Sequence, residues 1–165
     1  MNGEGDMNSE VQLDELIEIS RRKYELLVEI LEITRLQSQL INENSLDKLN
    51  GTISEKQRRI DEITGLDMEF ASKISQLKAR LNIESLEELF KIDLGAAREM
   101  KRLVQEILAI LERLHEEESK NHEATGNLLE SFAAEIKKIS DGKKLNAAYQ
   151  AKQRQFPSHF IDKKK

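Results

Sequence analysis

Glu112 and His115 come closest to a chemical site in this sequence, an E-x-x-H pair followed by Glu118 and His122. On a helix that spacing puts a carboxylate and an imidazole on one face, as di-iron four-helix proteins do when they aim two ligands at one metal. Such centres need a second pair and two more glutamates from facing helices, and no second pair is present. In so charged a segment the spacing reads as ordinary solvated surface. No metal and no other cofactor is therefore expected. The absence of cysteine excludes disulfides, thiolate metal sites and thiol catalysis. Neither a glycine-rich phosphate loop nor a serine nucleophile motif is legible, and the expectation is a protein that is not an enzyme.

The elements that carry these residues are helices. Of 165 residues, 38% are hydrophobic and 35% charged, with one proline and no tryptophan, which favours a thin helical bundle over a broad globular core. The longest helix is expected from Asp93, a plausible N-cap, to about Ser140, with Gly142 as its stop. Its seam is Met100, Val104, Ile107, Leu111, Leu114, Leu128, Phe132 and Ile139, in steps of three and four, with Glu118, Asn121 and Thr125 as polar or small interruptions.

Residues 1–10 are polar and unpatterned and are expected to be disordered. A first helix from Val11 to Ile41 carries two seams, one with Ile17, Tyr24, Leu27, Leu31 and Ile41 and one with Leu26, Ile30, Ile33 and Leu40, so it should have two neighbours. Ser20, Thr34 and Ser38 fall within the first of these. After a break at Asn42 to Ser45, where Asn44 or Ser45 can cap, a second helix runs through Leu46, Leu49, Ile53, Ile60, Ile63, Phe70, Ile74, Leu77 and Leu81. Lys56 and Asp67 are its polar exceptions, and Gly65 is the place to look for a bend. Ser85 to Glu88 has capping-box spacing for a short helix that plugs the bundle end with Leu86, Leu89 and Phe90.

The expected fold is all-α: an elongated antiparallel bundle of three long helices with coiled-coil-like packing, a short connecting helix and a mobile C-terminal segment. Its parts are a disordered N-terminus at 1–10, a bundle at 11–142, and a short helix with a basic tail at 143–165. If 96 lies level with 81, equal rise puts 131 level with 46, and residues past Ser131 lose their partners. Leu128, Leu129, Phe132, Ile136 and Ile139, extended by Leu145 and Tyr149, then form an exposed row able to seat a helix from another protein.

Charge narrows the partners. From Lys137 onward nine basic and two acidic residues give +7, which leaves −12 for residues 1–136 out of a total of −5. A body that acidic argues against nucleic acid. No apolar run is long enough to span a bilayer, so stable membrane insertion is not expected and the chain is placed in the cytoplasm. A homodimer through the same row, a structural coiled coil with no other client, is the alternative.

The chain resembles the FlgN-type flagellar export chaperones. The likeness rests on the two-seamed first helix with Tyr24, the NSLDKLNGTISEKQRRIDEI turn and second helix, the SLEELF element, Asn121 with Asn127-Leu128-Leu129, and Tyr149 ahead of SHFIDKK. That resemblance implies a cytoplasmic helical chaperone for the hook-filament junction proteins FlgK and FlgL. Such chaperones hold the C-terminal segment of the client and bring it to the type III export apparatus.

Overall fold

The structure is a computed structural model that describes residues 3–92 and 95–145, with side chains resolved over 7–92 and 95–138. Four helices follow one another: α1 (Gly3–Asn42), α2 (Leu46–Leu81), the short α3 (Leu86–Phe90) and α4 (Gly95–Leu145). The described residues are helical throughout apart from short turns, as an all-α bundle requires. Asp93, expected as an N-cap, lies outside the described residues. The chain divides into two compact units, Met1–Asn121 and His122–Lys165, and α4 contributes to both.

In the first unit α1 is the central helix. Its two expected seams both face inward: Ile17, Leu27, Leu31 and Ile41 are buried and Tyr24 half-buried on one, and Leu26, Ile30 and Leu40 are buried and Ile33 half-buried on the other, with Leu13 and Leu16 buried before them. Ion pairs mark its antiparallel register with α2. Glu15 accepts from Lys73 at 2.7 Å, Glu62 from Arg22 at 2.7 Å, Asp67 from Lys23 at 2.8 Å, and Glu29 lies 3.7 Å from Arg59. Arg21 with Glu99 and Ser20 with Met100 place the start of α4 beside the middle of α1. One apolar cluster joins Leu13, Leu16 and Ile17 to Ile74, Leu77, Leu89, Ala97, Met100 and Leu103. A second, smaller cluster joins Leu27, Ile30 and Leu31 to Ile110 and Leu114.

Helix α1 begins at Gly3, eight residues before the expected Val11. Elongating a helix already anchored by Leu13 and Leu16 costs far less than nucleating one, and nothing between Gly3 and Val11 breaks it. Likewise α4 passes through Gly142 to Leu145, because a single glycine in a long helix costs only about 1 kcal/mol. Gly51 and Gly65 are also interior to an unbroken helix.

The turn after α1 departs from the expected capping. Asn44 takes φ 57 and Ser45 donates its backbone N–H to the Leu40 carbonyl at 2.8 Å, while the Ser45 side chain caps nothing. Asn82 ends α2 in the same way, with φ 54 and the Ile83 amide on the Lys78 carbonyl at 3.0 Å. Asparagine supplies at both ends the left-handed residue that glycine more often supplies. The serine half of the expected capping box is present at α3, where Ser85 accepts from the Glu88 amide at 3.2 Å, while the carboxylate half is shifted by one residue. The Glu88 carboxylate reaches back to the Glu84 amide at 2.6 Å. Leu89 is fully buried, with Leu86 and Phe90 against the same cluster, so α3 does close one end of the first unit.

The expected seams of α2 and α4 need the larger correction. In α2 the line Leu49, Lys56, Ile63, Phe70, Leu77 faces inward, but Ile53 and Ile60 are 47% and 39% exposed, and Thr52, Arg59 and Leu66 are the half-buried residues beside the first line. In α4 the line Met100, Ile107, Leu114, Asn121 faces inward, Leu103 and Ile110 are buried beside it, and Leu111 is 39% exposed. A heptad read from sequence assumes one facing partner. Here both helices turn toward α1, which leaves Ile53 and Ile60 of the second line of α2 and Leu111 of that of α4 outward, while Ile74, Leu81 and Val104 of the same lines pack in or against the apolar cluster.

Candidate functional site

The polar interruptions noted separately in three helices meet in one layer of the first unit. Thr34, Gln37 and Asn121 are buried. The Thr34 hydroxyl donates back to the Ile30 carbonyl at 2.7 Å, with a Glu118 carboxylate oxygen 3.4 Å away. Asn121 donates its amide to the Thr34 carbonyl at 2.9 Å, and its own carbonyl oxygen is buried without a hydrogen-bond partner. From α2, Lys56 donates to the Gln37 side-chain carbonyl at 3.1 Å and pairs with Glu118. Gln37 in turn donates to Thr52 at 3.2 Å.

Equal rise places Lys56 opposite Asn121, and its ion pair goes to Glu118, one turn earlier. Burial pulls the Lys56 ammonium down to about 8 from an ordinary 10.5. A lysine shifted this way can signal a nucleophile or a base. Here its head group is already held by Gln37 and Glu118, which reads as a register device: these polar partners meet in one alignment and miss one another one turn away.

This layer also decides the fate of the E-x-x-H spacing. Glu118 is engaged by Lys56, and Glu112 and His115 are exposed. Among the described residues no group of three or more histidine, aspartate and glutamate side chains is placed to hold a metal ion. A shallow depression elsewhere is lined by Asp14, Glu15, Glu18, Ile19, Glu69 and Lys73. It gathers no catalytic arrangement, and its Lys73 is held protonated above its usual range by the hydrogen bond to Glu15.

In the second unit the described side chains belong to α4. Ala124, Thr125, Gly126, Leu128, Leu129, Phe132 and Ile136 are half-buried, while Asn127, Glu130, Ser131, Glu135, Lys137 and Lys138 are exposed. The stripe has the expected amphipathic spacing, with Leu128 to Phe132 and Phe132 to Ile136 four apart and Leu129 to Phe132 three apart. These side chains are half-covered, where a row open to solvent was expected. The side chains of Ile139 and Leu145, and all of Tyr149 and the basic tail, lie outside the described residues.

No described helix is long and apolar enough to cross a membrane. Among known families the chain matches the model described as FlgN protein over residues 7–155. No curated protein and no solved structure matches the chain.

Proposed function

From the premise that this chain belongs to the FlgN family of flagellar export chaperones, we propose that it is a cytoplasmic chaperone for hook-filament junction proteins. Its clients are FlgK and FlgL, which it hands to the type III export apparatus. It holds the C-terminal amphipathic helix of the client along the distal part of α4, at Leu128, Leu129, Phe132 and Ile136. Ile139, Leu145 and Tyr149, which follow in the sequence, are further proposed contacts.

The observation that carries this reading is the half-buried stripe Leu128, Leu129, Phe132 and Ile136, bounded by exposed Glu130, Glu135, Lys137 and Lys138. A segment destined to assemble later through helix contacts must have its apolar side covered beforehand, and a matching stripe can cover it. Completing the burial of such a row, at about 25 cal/mol per Å2 less the cost of ordering the partner, gives a complex that can still be released.

Calorimetric titration of the C-terminal segment of FlgK or FlgL into the full chain tests the assignment. Leu129→Asp with Ile136→Asp should weaken binding at least tenfold and leave the helical signal of the first unit in place. Binding unchanged in that variant would move the client site elsewhere. No binding to the intact chain would remove the client itself.

A further inference from the structure

The first unit leaves an apolar row that its own packing does not use. Ile53 and Ile60 stand three residues before and four after Lys56, hence on one side of α2, and Leu111 stands seven before Glu118 on the corresponding side of α4. Because Lys56 touches Glu118, these exposed residues flank the line where α2 and α4 approach. Leu108, one turn from Leu111, is 60% exposed and extends the row. On the other side of that line Ile63 meets the cluster of Ile107 and Ile110 against α1. The residues left outside are thus the middle stretches of the second heptad lines of two helices that have turned toward α1, with Leu108 beside them. An antiparallel pair with such stretches free has the geometry to accept a fourth helix.

Charge selects the occupant. Glu112 and Glu116 lie on the outer flank of the Leu108 and Leu111 row, are exposed, and form no ion pair among the described residues. The chain up to residue 136 carries −12. A second copy would bring the same acidic surface against this one, and like charges facing across an interface are unfavourable.

We propose that the groove between α2 and α4 docks one amphipathic helix of another protein, with leucine-type side chains at heptad spacing and lysine or arginine along its edge. Its apolar side chains cover Ile53, Ile60, Leu108 and Leu111, and its basic edge meets Glu112 and Glu116. This surface lies in the first unit and does not depend on the client assignment to distal α4.

A synthetic three-heptad helix with leucine at the core positions and lysine at the edges is the probe, titrated into the full chain beside a version with glutamate edges. The lysine-edged helix should bind, and Ile60→Ser with Leu108→Ser should weaken it at least tenfold. Glu112→Gln with Glu116→Gln should weaken it several-fold, with a shallower salt dependence. The replaced side chains are exposed, and unchanged thermal unfolding confirms that the variants fold. Leu129→Asp with Ile136→Asp should leave this binding unchanged. Equal binding by the Ile60→Ser, Leu108→Ser chain overturns the proposal. So does equal binding of the glutamate-edged helix, or a sedimentation result in which the intact chain is a dimer and that variant a monomer.

Discussion

The two ends of the first unit are built from the same three long helices and do different work. At one end Leu13, Leu16, Ile74, Leu77, Leu89, Met100 and Leu103 form a dry cluster closed by α3. At the other, Thr34, Gln37, Lys56, Glu118 and Asn121 form a polar layer. The apolar end holds the helices together without prescribing alignment, because leucine packs acceptably in neighbouring registers. The polar end prescribes alignment and adds little net stability, since ion pairing there is offset by desolvation. A long coiled-coil-like unit needs both, and here they are separated along its length.

The largest effect that sharpens this contrast is truncation of a core leucine. Leu77→Ala, at a fully buried position, should cost about 2–5 kcal/mol. Leu49→Ala, half-buried toward the polar end, should cost about 1 kcal/mol. Denaturant unfolding of the two variants measures the gap, and equal losses would erase the distinction between the ends.

The next concerns Lys56. Its folded value is about 8 against an ordinary 10.5. Between those values the unfolded chain still carries a proton that the folded chain has released. Stability therefore rises with pH through that window and is flat below it. Relative to Lys56→Met, the intact protein should gain about 1–3 kcal/mol between pH 8 and 10.5. A gain of equal size in the variant would assign the effect to other groups.

The smallest compares two serines that look alike in sequence. Ser85 accepts from the Glu88 amide, whereas Ser45 makes no side-chain cap. Ser85→Ala should cost about 1 kcal/mol, and Ser45→Ala should leave the unfolding midpoint unchanged.

Much of this fold is legible in the residues. The two seams of α1, the break after Ile41, the cap at Ser85 and the long last helix all follow from spacing and cap chemistry. Where α2 and α4 point their second heptad lines was not legible, because periodicity reports that a residue is apolar and on a face but not which neighbour claims the face. Ile53, Ile60 and Leu111 read as core for that reason, and Leu108 falls outside the heptad altogether. The polar layer was half legible: Thr34, Lys56, Glu118 and Asn121 each stood out as an interruption. Only the level at which α2 and α4 meet makes them one feature. The distal stripe was legible as a stripe, and its partial cover was not, since amphipathic spacing gives the face of a helix and not how much of it is covered.

The most direct test of the account is a methyl-detected NMR titration of the full chain with the C-terminal segment of FlgK. Saturable shifts or broadening at the Leu128, Leu129 and Ile136 methyls, with Leu13, Leu16 and Leu77 unmoved, is the predicted result. Saturable binding that leaves those three distal residues unchanged would contradict it.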